Sequence, residues 1–323
     1  MTATTPSTSS KRRSSFLAGM DWRSNVIYIA FVAVFLLFAI MLGSDGFLSG
    51  NNLLNIFRQT ATISIMAVAM TFVIANAEID LSVGSVAGLA SVVTAMGIER
   101  FGLVPGIIGG LLSGAIVGAV NGGLVSLLGI PSFLVTLGML GLTQGLAMWI
   151  TASAPQPIGD GLYVLIFGGG NFGPIPGLLV WTVAAVAIGW IVMNRTRYGR
   201  RVLATGGNPT AAAYTGIRTA RIKFTVLFVM GIVAALAGML YAGRLESGRF
   251  QWGQGDELTV IAAVILGGTS LFGGRGAIIG TLFGSLFMGL VNNGLILAGL
   301  DVAQQQVVRG AIIIAAVALS RKK

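Results

Sequence analysis

Two carboxylates in a strongly apolar chain offer the first chemistry to read. Glu78 and Asp80 lie in the stretch Asn76-Ala77-Glu78-Ile79-Asp80-Leu81-Ser82-Val83-Gly84-Ser85. Ionisable groups are costly in hydrocarbon, and where they occur they mark solute pathways or pair with internal partners. Asp80 also suits a helix N-cap or first turn, with the hydroxyls of Ser82 and Ser85 beyond it. Three roles stay open for this stretch: capping, contact with a solute, and contact with a partner subunit or gate. Asn121, Thr136, Gln144, Asn292 and Asn293 are uncharged polar residues inside apolar runs. They could hydrogen-bond a solute hydroxyl in passing, or equally hold one helix to another.

Other chemistry is excluded by composition. The chain has no Cys and no His, so there is no disulfide framework, no thiolate or imidazole metal site and no imidazole base. No metal site or cofactor is expected, and no nucleophile–base constellation stands out. The Gly-rich runs at 168–170 and 267–276 lack the lysine and the strand–helix context of a phosphate-binding loop. If ATP drives this protein, another polypeptide hydrolyses it.

The elements that must position these residues follow from hydropathy. Of 323 residues, 55% are hydrophobic and 9% charged, and the mean hydropathy is +0.89. Soluble domains carry about 25% charged residues, and a deficit this large needs lipid as the solvent. Apolar runs at about 26–42, 59–76, 80–97, 104–127, 131–151, 177–194, 223–243, 257–272, 277–297 and 303–319 predict an all-α, polytopic membrane bundle of about ten transmembrane helices. Residues 1–20, Ser/Thr-rich and basic, read as a disordered cytoplasmic tail ahead of a single membrane domain over 21–323. The net charge of +10 could suggest nucleic acid, but its placement argues otherwise. With ten spans and both termini inside, fifteen of the twenty Lys and Arg residues fall on the cytoplasmic side and five outside. No nucleic acid is needed to explain that pattern.

A weak repeat runs through the chain. Asp80-Leu81-Ser82-Val83 is echoed by Glu257-Leu258-Thr259-Val260. Gly109, Gly118, Asn121, Gly123 and Leu124 are echoed by Gly280, Gly289, Asn292, Gly294 and Leu295 at a constant offset. A five-helix unit used twice would insert its second copy upside down, an arrangement that transporters use around their pathway. Gly110, Gly114, Gly118 and Gly122 recur every four residues, and Gly276, Gly280 and Gly284 do so later. That spacing predicts helix faces in close contact.

Loops carry function more often than the spans they join. The segment 152–176 is rich in Gly and Pro, and 195–222 is a long cytoplasmic loop without Asp or Glu. Within it, Gly206-Gly207-Asn208 reads as a turn, Pro209 opens a short helix through Tyr214, and Gly216 stops it. A short amphipathic helix projecting from a membrane domain suits docking to a partner.

Here the chain resembles the permease subunits of bacterial ATP-binding-cassette monosaccharide importers, the ribose/xylose/arabinose/autoinducer-2 group, over about residues 25–320. The likeness rests on Asn52-Leu53-Leu54-Asn55-Ile56, Ile79-Asp80-Leu81-Ser82-Val83-Gly84-Ser85, Gly206-Gly207-Asn208 with Ala211-Ala212 and Gly216-Ile217, and Gly267-Gly268-Thr269-Ser270-Leu271-Phe272-Gly273-Gly274-Arg275-Gly276. Many members have two glycines where this chain has Ala77-Glu78. The resemblance implies a non-catalytic subunit of the bacterial inner membrane that forms the sugar pathway with a second copy or a paralogue. A cytoplasmic ATPase would dock through Gly207, Asn208, Ala211, Ala212 and Gly216, and a periplasmic or extracellular sugar-binding protein would deliver substrate. Glu78, Asp80 and the five uncharged polar residues named above are the candidate pathway positions. An ion-coupled secondary transporter of a small polar solute, using Glu78 and Asp80, is the competing expectation.

Overall fold

The computed structural model describes residues 22–173 and 175–319, so the expected tail at 1–20 and the basic residues 321–323 lie outside it. The first five helices are α1 (Trp22–Met41), α2 (Gly50–Ala75), α3 (Val83–Phe101), α4 (Leu103–Leu127) and α5 (Ser132–Thr151). A short strand β1 (Gln156–Pro157), the helix α6 (Gly161–Phe167) and the strands β2 (Asn171–Phe172) and β3 (Ile175–Pro176) lead to α7 (Gly177–Arg195). Then come α8 (Arg197–Gly207), α9 (Pro209–Tyr214), α10 (Thr219–Arg244), β4 (Ser247–Gly248), α11 (Asp256–Leu266), α12 (Ile278–Leu297) and α13 (Val302–Leu319).

The chain is thus an all-α bundle with two minimal antiparallel pairs, β1 with β4 and β2 with β3. Among the described residues, six helices are long and apolar enough to cross a membrane: α2, α4, α5, α7, α10 and α12. Shorter apolar helices cover 27–41 and 302–318. Around the outside, Ile40, Trp149, Ile188 and Ile314 are exposed. In water such a surface would associate, whereas in a bilayer it meets hydrocarbon.

α2 lies at the centre, with its second half almost wholly buried. Lipid gives little hydrophobic drive to helix association, so close packing and interhelical hydrogen bonds must supply it. Small residues let α4 press against α10: a Cβ on Gly114 would strike the Gly231 carbonyl, and one on Gly118 would lie 2.8 Å from the Phe228 carbonyl oxygen. Gly280 and Gly284 of α12 press likewise on Gly267 and Ala263, while Gly276 precedes that helix and faces Met193 and Ala75. Polar pairs pin α2 to α12, with Ser64 Oγ and Ser285 Oγ 2.8 Å apart and Thr71 Oγ1 and Thr281 Oγ1 2.9 Å apart. Asn52 and Asn293 exchange side-chain amide bonds of 3.1 and 2.9 Å.

Two stretches interrupt the helices inside the bundle. Residues 76–82 separate α2 from α3, and 245–255 separate α10 from α11. The second stretch lies along α3. Ser91 Oγ donates to the Arg249 carbonyl (3.0 Å) and accepts from its N–H (3.1 Å), and Gly84 abuts the Gly253 carbonyl. The run expected to be helical over 257–272 stops at Leu266, because Gly268, Gly273 and Gly274 take left-handed backbone angles that end it.

Candidate functional site

The long loop folds into two helices set against the end of α2. In α8, Thr196 caps the N-terminus by accepting from the Gly199 N–H (3.2 Å). Val202, Thr205 and Gly206 turn inward while Arg197, Arg200 and Arg201 are exposed, giving an amphipathic helix. Gly206 has to be glycine, since a Cβ there would collide with the Ala75 carbonyl. Beside it the Gly274 N–H donates to that same Ala75 oxygen (2.9 Å), and Gly273 abuts the Gly206 carbonyl. The Gly206-Gly207 pair, expected as a turn, is therefore the last turn of a helix packed backbone to backbone.

α9 follows at once. Asn208 Oδ1 accepts from the Ala211 N–H (2.9 Å), Pro209 fills the first helical position, and Gly216, at φ +84°, closes the helix. Gly207, Asn208, Ala211 and Gly216 are exposed as a docking role needs, but Ala212 points inward with 4% exposure. Tyr214, 89% exposed, is the large side chain that the motif reading missed. An aromatic followed by a helix-stopping glycine was the signal available for it.

The stretch 76–82 brings together four of the candidate pathway residues. A turn over 76–78 closes α2, and the residues after it run beside α5, whose hydroxyls serve as a strand edge. Ser132 Oγ accepts from the Ile79 N–H (3.1 Å), and Thr136 Oγ1 accepts from the Leu81 N–H (3.0 Å), with its proton shared between the Ser132 carbonyl (2.8 Å) and the Ile79 carbonyl (3.3 Å). Asp80 is buried, and its Oδ1 accepts from the Ser82 N–H (2.8 Å) and the Ser82 hydroxyl (2.6 Å). Asn121 Nδ2 donates to that hydroxyl oxygen (3.0 Å), and Thr143 Oγ1 bonds Ser85 Oγ (2.7 Å). Asp80 thus forms an Asx turn just ahead of α3.

Glu78 sits at the mouth of this stretch and is ion-paired with Lys223 of α10 at 2.5 Å. The acid at 78 was the signal that a cation had to stand nearby. Ala77 holds φ +62°, a left-handed angle that costs an L-residue about 1–2 kcal/mol and glycine almost nothing.

The remaining candidates lie elsewhere. Gln144 is half-buried on α5 and hydrogen-bonds to nothing among the described residues. Asn293 is committed to Asn52, and Asn292 accepts from Arg309 (3.2 Å). Among the described residues no group of His, Cys, Asp and Glu could hold a metal ion. The assembled groups can orient backbone and offer hydrogen bonds, and they present no nucleophile with a base.

A family model described as the permease component of a branched-chain amino acid transport system matches residues 52–317. The chain belongs to this permease family. The permease is 42% identical to the ribose import permease protein RbsC of Bacillus subtilis, over 91% of its own length and 92% of the relative's. It is 41% identical to the probable ABC transporter permease protein YphD of Escherichia coli, over 91% of its length and 88% of the relative's. The fructose import permease protein FrcC of Rhizobium meliloti shares 36%, over 91% and 84%. No solved structure matches the permease.

Proposed function

We propose that this chain is the membrane-spanning permease subunit of an ATP-binding-cassette importer, forming the pathway for a monosaccharide or similar small polyol. The observation that carries the reading is α9, a six-residue helix capped at both ends that presents Gly207, Asn208, Ala211, Tyr214 and Gly216 outward. It is braced through Gly206 against the end of α2. Full-length relatives named for ribose and fructose import support the substrate class. The absence of a phosphate loop leaves ATP hydrolysis to a partner ATPase docked on α9. A sugar-binding protein would meet the opposite end, where β1 and β4 pair, and a second copy or paralogue would complete the pathway.

The same reading assigns ten spans with both termini in the cytoplasm. To the six long helices it adds α1, α13 and the two interrupted helices α3 and α11. The interruptions at 76–82 and 245–255 are what an inverted repeat would place on opposite sides of the membrane. Arg195, Arg197, Arg200, Arg201, Arg218, Arg221, Lys223 and Arg275 would then face the cytoplasm. Ion coupling through Glu78 and Asp80 is disfavoured, because Lys223 neutralises the first and Ser82 occupies the second.

The test exchanges Tyr214 for Ala and co-purifies the permease with its ATPase. At protein interfaces a central aromatic anchor is worth about 2 kcal/mol or more, so ATPase recovery should fall at least about tenfold while the melting temperature holds. Undiminished recovery and full uptake would remove α9 as the docking element. The family's branched-chain amino acid description names the competing substrate class, and uptake of D-ribose against L-leucine by the complete transporter separates them.

A further inference from the structure

Away from α8 and α9 the bundle holds a cavity of about 270 Å³ at the N-terminus of α11. It is bounded by α2, α10, α12 and α13, and Tyr241, Arg244, Asp256, Thr259, Met288, Asn292 and Arg309 contribute to its wall. Its depth in the bundle follows from the helices around it. Tyr241 lies three residues before the C-terminal end of α10, whose N-terminal end carries Lys223 beside Glu78. The cavity is therefore far from the docking loop along α10, on the side that the importer reading turns outward.

Its chemistry is mixed within a small space. Asp256 Oδ2 accepts from the Tyr241 hydroxyl at 2.6 Å and keeps further lone pairs for donors. Arg309 donates to Asn292 Oδ1 (3.2 Å) and has other N–H groups to give. Thr259 is 4% exposed, and its hydroxyl, in the cavity wall, has no hydrogen-bond partner among the described residues. A buried hydroxyl left unpaired costs free energy that a ligand can recover. Met288 adds an apolar surface.

We infer that this cavity is a subsite for the transported solute and takes a neutral polyhydroxylated molecule of about monosaccharide size. Vicinal hydroxyls donate and accept at once, which suits a wall of carboxylate, guanidinium, amide and hydroxyl, while the C–H face of the ring lies on Met288. Arg244 and Arg309 stand with Asp256 in the wall, and vicinal hydroxyls can bond to either sign of charge without carrying one themselves. The volume lies just below the roughly 300–1,000 Å³ of small-molecule pockets, as a subsite for one small ring requires. Sequence reading reached this place only through Asn292 and the Glu257-Leu258-Thr259-Val260 echo, because Asp256 and Arg309 come together only in the fold. The assignment rests on the importer reading.

The chain has no cysteine, so Thr259→Cys supplies a unique thiol inside the cavity. The variant is purified with its ATPase in lipid nanodiscs and treated with a small methanethiosulfonate reagent, with and without millimolar D-ribose, D-fructose, D-allose or L-leucine. At least one of the sugars should slow modification about fivefold or more, and L-leucine should leave it unchanged. Wild-type uptake of the same solutes is measured in parallel and reports on the importer reading alone. A sugar that is transported but protects nothing overturns the subsite and leaves the importer standing. If no sugar is transported, the importer reading fails, and the subsite with it. Thr259→Val, which removes only the hydroxyl, should slow sugar uptake about fivefold. Asp256→Asn should slow it by more. Wild-type uptake in both variants overturns the proposal.

Discussion

Removing the Lys223 charge should destabilise this permease far more than removing the Glu78 charge, although the two form one ion pair. The distance is 2.5 Å, which at an effective dielectric of about 20 corresponds to a gross attraction on the order of 6–7 kcal/mol. Most of that is offset by lost hydration, and the loss is unequal: the Lys223 side chain is 32% exposed and that of Glu78 only 8%. In Lys223→Met a nearly buried carboxylate loses its counter-charge, and fully buried pairs broken this way cost about 3–5 kcal/mol. With one partner partly hydrated, about 2–3 kcal/mol is expected. In Glu78→Gln the lysine can turn its ammonium to water at a cost of about 0.5–1 kcal/mol.

The double variant should be milder than Lys223→Met alone, with a coupling near 1.5–2 kcal/mol. Thermal unfolding of the purified permease followed by tryptophan fluorescence would read these differences. At roughly 2–4 °C per kcal/mol, Lys223→Met should melt about 5–10 °C lower and the double variant should melt a few degrees above Lys223→Met. Additive single effects, or a Glu78→Gln variant as unstable as Lys223→Met, would refute the burial argument. Uptake gives a second reading. The double variant should still transport, whereas a proton-coupled carrier using Glu78 would be silenced.

Two further outcomes follow from local geometry. Ala77→Gly should raise the melting temperature by a few degrees, because relief of a left-handed alanine is worth about 1 kcal/mol, and an unchanged or lower value would contradict the strain. A double-mutant cycle on Asn52→Leu and Asn293→Leu should give a coupling of about 0.6–1.7 kcal/mol, the range of hydrogen bonds between membrane helices.

Hydropathy alone located the six long apolar helices, because apolar runs of span length have few other uses. It could not show that α3 and α11 begin inside the bundle. In sequence the stretch 76–82 looks like a short break between spans, and its extended course depends on Ser132 and Thr136, which lie more than fifty residues on. α8 escaped notice for a different reason. Gly206 and Gly207 carry the composition of a turn, and what holds them helical is contact with Ala75 and Gly273, invisible to local propensity. Ala212 was grouped with the exposed docking residues because a single helical turn does not say which side meets the bundle. Asn121 and Thr136 bond to the 76–82 stretch, through Ser82 and through the Ile79 and Leu81 backbone, a meeting that their positions in the sequence do not show. Asn293 went to a helix–helix clasp, the alternative that polar residues in a span always carry.

The contacts also explain how a partner pushing on α9 could reach the interior. α9 joins α8 without a linker, and the end of α8 meets α2 and the 273–274 turn through Gly206, Gly207, Gly273 and Gly274. No flexible side chain lies between these backbones to absorb a displacement. The Ala75 carbonyl, which accepts from Gly274, is one residue before Asn76, where α2 ends and the extended stretch begins. From there Glu78 ties to α10 through Lys223, and Ile79 and Leu81 tie to α5. A movement of α9 is therefore delivered to residues 79–82, where the N–H groups of Ile79, Leu81 and Ser82 are bonded to side chains. Those bonds are individually weak and can exchange, whereas the helices around them cannot stretch. Rigid backbone contacts beside α9 and exchangeable hydroxyl bonds in the interior are the combination a gate would require under the proposed docking of an ATPase on α9.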